Sequence, residues 1–103
     1  MSFVKQEYEI VKKVSSTSNS PKTYGQPMIT VFMRGVVDGK DYRTYIVRGH
    51  KNEANWRPII DSGSREIIIG FGKGRMKKDT NIIDADSQPK IIYQTPDNNA
   101  LFN

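Results

Sequence analysis

Between Met33 and Gly49 the chain reads MRGVVDGKDYRTYIVRG, two runs rich in Val, Thr and Tyr on either side of Asp38-Gly39. Asp-Gly between such runs is among the strongest short-range signals for a β-hairpin, and it commits the middle of the chain to antiparallel sheet. With Asp38 and Gly39 at the centre of a type I′ turn, Val37 faces Lys40. Phe32 then stands opposite Tyr45, Arg34 opposite Arg43 and Thr30 opposite Val47, all on one side of the ribbon. The other side pairs Val31 with Ile46, Met33 with Thr44 and Ile29 with Arg48. A four-residue loop shifts these pairs but keeps the two faces, whereas a three-residue loop scrambles them.

The rest of the chain fits a small β domain. Residues 3–14 alternate loosely, with Phe3, Tyr8, Ile10 and Val14 apolar, and predict one strand. SSTSNSPKTYGQP, residues 15–27, reads as a long loop. HKNEANWRPIIDSGS breaks the strand pattern; Asn52 is placed to cap a short helix over 53–60, and Pro58 prevents a longer one. REIIIGFGKGRMK predicts a third long strand, residues 81–84 a short one and KIIYQ a last one. The expectation is one domain over residues 1–93 and a tail over 94–103. Five or so strands, one short helix and no βαβ alternation make it mostly β: an OB-fold, an SH3-like barrel or a small sandwich.

Charge narrows the partners. The 103 residues carry a net +5 and no cysteine. Residues 34–78 hold eleven Lys and Arg against five Asp and Glu, while residues 79–103 hold one Lys against four Asp. A basic field concentrated in mid-chain attracts polyanions. Rings beside cations are what a single-stranded nucleic acid needs, since bases stack on the rings and phosphates follow the charge. The hairpin face supplies Phe32, Arg34, Arg43 and Tyr45. Arg34 facing Arg43 is unfavourable unless an anion lies between them. Along the third strand Ile69, Phe71, Lys73 and Arg75 share a face opposite Gly70, Gly72 and Gly74, and Lys77 extends the cations. Trp56 is a core plug or, if exposed, a stacking platform with Arg57 beside it, and Arg48 ends the hairpin. The bland alternatives are a cross-strand aromatic pair of Phe32 and Tyr45, and an Arg34 and Arg43 that are either solvated or paired with Glu66 or Asp61.

Catalytic patterns are missing. His50 is the single histidine, and no serine lies in a nucleophile elbow. The glycines match neither the dinucleotide nor the phosphate-loop pattern. Asp79, Asp84 and Asp86 form the one acidic cluster, which lacks the Gly and Glu of a calcium loop and reads as a solvated turn. No enzyme activity, metal or cofactor is expected. MSFVKQEYEI has no continuous apolar run, and no window approaches the ~18 apolar residues of a membrane helix. A soluble cytoplasmic protein without a membrane partner is expected.

Over residues 28–93 the order of features resembles the small OB-fold single-stranded DNA-binding proteins of bacteriophages. The resemblance lies in MITVFMRGVVDGKDYRTYIVRG, the interrupted segment with Trp56, REIIIGFGKGRMKK and the closing KIIYQ. It implies a five-stranded OB-fold-like barrel and sequence-tolerant binding of single-stranded DNA in phage replication and recombination. It also implies a host-cell cytoplasmic location, a dimer or tetramer, and a groove of Phe32, Arg34, Arg43, Tyr45, Phe71, Lys73 and Arg75. Bacterial relatives end in a strongly acidic tip, whereas TPDNNALFN has one acid, so the resemblance does not extend to recruiting partner proteins through such a tip. No residue visibly reads a 2′-hydroxyl, so RNA stands beside DNA as a ligand. The alternative is a non-catalytic structural or inhibitory protein that docks another protein through a β face.

Overall fold

The hairpin forms with a wider turn than a type I′ pair would give. The computed structural model describes residues 2–3 and 6–96, and in it strands β3 (Pro27–Gly35) and β4 (Asp41–Val47) pair antiparallel. The Gly35 N–H donates to the Lys40 carbonyl at 2.9 Å, leaving residues 36–39 as a four-residue loop. Only Gly39 of the Asp38-Gly39 pair has positive φ, at 67°, and a type I′ turn needs both. The cause is the Asp38 carboxylate. It accepts a close hydrogen bond from the Tyr42 hydroxyl, one from the Gln6 amide at 2.8 Å and one from the Lys40 N–H at 2.9 Å. Gly35 lets this happen, because a Cβ there would collide with Asp38 and Gln6. The predicted pairs therefore slide by two residues. Arg34 faces Asp41, Phe32 faces Arg43 and Thr30 faces Tyr45. The expected Arg34–Arg43 opposition does not form, while the two faces are kept.

Strand β2 (Tyr8–Thr17) lies on the far side of β3 and also pairs with β5 (Ile67–Lys73), which pairs in turn with β7 (Gln88–Gln94). The five-stranded sheet runs β4-β3-β2-β5-β7. Beyond Gly74, β6 (Arg75–Met76) continues the line of β5 and pairs with β1 (Ser2–Phe3). Met76 bridges Ile83, and Ile82 bridges Arg43 in parallel. Arg43 N–H donates to the Asn81 carbonyl at 3.1 Å and Ile83 N–H to the Arg43 carbonyl at 2.8 Å. Residues 81–83, where a short strand was expected, thus join β4 to β6 and curl the sheet toward closure. The domain is mostly β, a small OB-fold-like barrel with one helix.

Several boundaries differ from the expectation: the single strand predicted over 3–14 is divided between β1 and β2, which begins at Tyr8, and the last strand begins at Gln88. Strand β2 runs to Thr17, because Ser15, Ser16 and Thr17 pair with Ile29, Met28 and Pro27. The loop predicted over 15–27 is thereby shortened to 18–26. Gln94 belongs to β7, and Thr95 N–H donates to the Glu66 carbonyl at 3.0 Å; residues 97–103 of the predicted tail, with Phe102, lie outside the described residues.

The core is built from alternate residues of these strands and one helix. Val31, Met33, Ile46, Ile69 and Ile83 are buried with Tyr8 and Tyr42. Helix α1 (Glu53–Ile60) brings in Trp56 and Ile59. Asn52 occupies the N-cap position without making a side-chain cap bond. The other end is capped from β2: Lys13 Nζ donates to the carbonyls of Ile59, Ile60 and Ser62 at 3.0, 3.0 and 2.8 Å. A cation there satisfies the last carbonyls and suits the negative end of the helix dipole. Burial lowers the Lys13 pKa, and the Asp61 charge opposes the shift.

Two predictions concern stability. Thr44 lies in the core with its Oγ1 unbonded among the described residues, and an unsatisfied buried hydroxyl is unfavourable. Thr44→Val should raise the unfolding free energy in urea by about 1 kcal/mol. The Tyr42 bond holds Asp38 below the usual carboxylate range and pushes Tyr42 up to about 12. Asp38 then adds stability above its unfolded value of about 4 that is lost as pH falls through the lower folded value. Tyr42 adds stability that is full below its unfolded value near 10 and lost as pH rises through the folded one. Thermal midpoints measured against pH should show both limbs flattened in Tyr42→Phe.

Candidate nucleic-acid interface

The outer face of β2, β3 and β4 is organised in rungs, read across three strands. One rung is Lys12–Phe32–Arg43, in direct register on both sides of the ring. The next toward the loop at 18–26 is Val14–Thr30–Tyr45, and the next toward the hairpin turn is Glu9–Arg34–Asp41. The groove over this face has a volume of about 500 Å³, and its lining includes Lys12, Phe32, Arg34 and Arg43 together with Asp41 and Asn81.

Lys12 reaches this face through a bulge. Between Ile10 and Lys12 the β2–β3 register shifts and Val11 is left unpaired. Strict alternation from Tyr8 and Ile10 would put Lys12 over the core. The extra residue turns Lys12 outward and sends Lys13 inward to the helix. Lys12 Nζ then stands 5.0 Å from the centre of the Phe32 ring, and the Arg43 guanidinium carbon 5.8 Å from that of Tyr45. Both are cation–π distances. Among the described residues neither Lys12 nor Arg43 forms an ion pair. Arg34 is different: it lies between Glu9 and Asp41, with its Nε 4.0 Å from the Asp41 carboxylate. That pair is exposed and worth little in stability, but the carboxylates on both sides offset its charge.

The remaining predicted site residues lie in four other places. Trp56 is fully buried, with its indole N–H donating to the Ala85 carbonyl at 3.0 Å. Phe71 is packed against the core, 5.7 Å from the Tyr8 ring and 5.8 Å from Trp56. Trp56 is therefore a core plug and not a stacking platform, whereas Phe71 is half-buried and keeps one side toward a groove that it lines with Val36, Val37 and Ile92, away from the hairpin rings. Arg48 and Arg57 both hold Glu53: Arg48 in a close ion pair, Arg57 at 3.6 Å across one helical turn. Glu53 also accepts from the Gly49 N–H at 3.2 Å. These contacts tie the start of α1 to the end of β4. Lys73 and Arg75 line a smaller cleft of about 230 Å³ with Asp84 and Asp86, where carboxylates match the cations. Lys77 follows β6 and is not among the residues that line the groove. Its N–H donates at 2.9 Å to the carbonyl of Ile82, the residue bridged to Arg43.

Phe32, Arg34, Arg43 and Tyr45 are thus gathered on one face, as the hairpin pattern indicated, and Lys12 joins them without having been foreseen. The one available signal was that no barrel buries both Lys12 and Lys13 easily, so one of them had to turn outward. Among the described residues no group of three or more His, Cys, Asp and Glu could hold a metal ion, and no helix is long and apolar enough to cross a membrane.

The Gly49 N–H and the two arginines hold the Glu53 carboxyl below its ordinary range. Its contribution to stability is present above the unfolded value of about 4.3 and lost as pH falls through the folded one. Glu53→Gln should therefore lower the thermal midpoint at pH 7, and the gap from wild type should close toward pH 3. Compared with known proteins, the chain matches no family model, no curated protein and no solved structure.

Proposed function

We propose that this protein is a non-catalytic, sequence-tolerant binder of single-stranded nucleic acid, with DNA as the favoured ligand. The observation that carries this reading is the outer-face rung Lys12–Phe32–Arg43, a half-buried ring flanked on both sides by exposed cations that form no ion pair among the described residues. Tyr45 lies one rung further on and supplies a second ring. Bases stack on such rings whatever their sequence, and Lys12 and Arg43 are placed to neutralise the backbone. The OB-fold-like barrel supports the reading by analogy, since such barrels commonly bind oligonucleotides on this side. Work in the host cytoplasm during phage replication and recombination, as a dimer or tetramer, belongs to the same reading through the resemblance of the sequence.

A second reading, docking of another protein, has its own observation. Val36, Val37, Ile92 and Tyr93 are exposed, and Val36, Val37 and Ile92 line one groove with Glu7 and the backbone of Gly70. Exposed apolar clusters of this kind serve as anchors in protein interfaces.

Gel shifts with matched single-stranded DNA, duplex DNA and RNA oligomers test the first reading. Single-stranded DNA should bind, and its affinity should fall steeply between about 50 and about 200 mM salt as counterion release predicts. Phe32→Ala combined with Tyr45→Ala should weaken binding by about tenfold or more, because each stacked base contributes about 1–3 kcal/mol, and the double variant should keep its circular dichroism spectrum. Salt-insensitive binding, or none, overturns the proposal; normal binding by a folded double variant moves the groove elsewhere.

A further inference from the structure

We infer that Lys12 and Arg43 cover the two stacking rings in the free protein, and that a nucleic-acid strand binds by displacing them from the rings onto its phosphates. The inference rests on the reading of this face as a nucleic-acid groove and concerns how the groove opens. Lys12 Nζ lies 5.0 Å from the Phe32 ring centre and the Arg43 guanidinium carbon 5.8 Å from the Tyr45 ring centre. A cation over a ring and a base on a ring use the same negative π-face, so the two compete. Among the described residues neither cation forms an ion pair with a carboxylate. Both side chains are exposed and sit on long flexible stems. Leaving the ring costs each cation one contact and gives it another with the phosphate that accompanies the incoming base.

Each cation then acts in two opposed ways that salt separates. Its phosphate contact is screened as salt rises, whereas its hold on the ring acts at short range and changes little. A residue that served only as a phosphate contact would help binding at every salt concentration, and its advantage would fade toward zero near 1 M. A residue that also covers a ring helps at low salt and hinders at high salt.

Lys12→Ala removes both actions, and Lys12→Arg preserves both. Affinity for labelled oligo-dT, read by fluorescence anisotropy, would be plotted as the logarithm of the binding constant against the logarithm of salt concentration. Lys12→Ala should lie below wild type at low salt, with a slope shallower by about 0.7, the value for one phosphate on a single strand. Near 1 M salt it should bind about 2–5-fold tighter than wild type, the factor that an exposed cation–π contact represents. The two lines should therefore cross at roughly 0.1–0.3 M salt, and Lys12→Arg should follow wild type. A second measurement reads the cover directly. In the free protein the proton resonances of the Lys12 ε-methylene should be shifted upfield by the Phe32 ring, and saturating oligo-dT should remove that shift.

Lines that cross, with loss of the ring-induced shift, support the inference. Lines that approach each other only near 1 M without crossing make Lys12 a simple phosphate contact; this overturns the inference and leaves the nucleic-acid reading in place. Identical lines for wild type and Lys12→Ala overturn it as well. A wild-type protein that shows no salt-dependent binding overturns the nucleic-acid reading itself, and the inference with it.

Discussion

The hydrogen bond from Tyr42 to Asp38 sets the frame of the outer face. It draws the Asp38 carboxylate back over β4, assisted by Gln6 and the Lys40 N–H, and so widens the turn from two residues to four. A turn of two would have placed Arg43 across from Arg34; with four, Arg43 stands beside Phe32. The groove therefore depends on a contact at the far end of the hairpin that touches no part of the rung it creates. Tyr42 reaches both sides of the sheet in effect. Its ring packs edge-on against Tyr8 in the core, 5.0 Å away, while its hydroxyl fixes the turn.

The interior is held by a different set of aromatics. Tyr8, Phe71 and Trp56 form a chain of ring contacts through the barrel, and the Trp56 indole is anchored to Ala85. This chain explains why Trp56 is unavailable to a ligand and why Phe71 keeps only part of its ring at the surface: they are what the helix and the third long strand pack with. Arg48 and Arg57 are committed in the same sense, since Glu53 uses both to seat the helix. Of the eleven cations in the basic middle of the chain, Arg34, Arg48 and Arg57 are in ion pairs among the described residues.

Much of the fold was legible because it follows from local pattern. Alternation in residues 28–37 and 40–48 separated a core face from an outer face, and no turn of even length could exchange them. Pro58 and the flanking polar residues bounded the helix to 53–60, as observed. Register was not legible, because it turned on the carboxylate of Asp38 meeting a hydroxyl four residues away and an amide 32 residues away. The face of Phe71 was misjudged for a related reason. The strand changes from apolar to cationic along one side, and only its packing shows that Phe71 leans on the core rings while Lys73, paired with Gln88, and Arg75, in β6, line a separate cleft with Asp84 and Asp86. Lys12 was hidden by a bulge, which no alternating pattern announces.

That bulge has a consequence for how the chain tolerates changes in length. Lys12 and Lys13 are neighbours that serve opposite surfaces, one over Phe32 and one beneath the end of the helix. Val11 is the single unpaired residue that keeps them in phase. Gain or loss of one residue between Tyr8 and Lys12 would exchange their surfaces and unseat the groove cation and the helix cap in one event. The loop at 18–26 sits between the same two strands but outside this phasing. Its length can drift freely while that of β2 cannot, so β2 acts as the ruler against which both sides of the barrel are set.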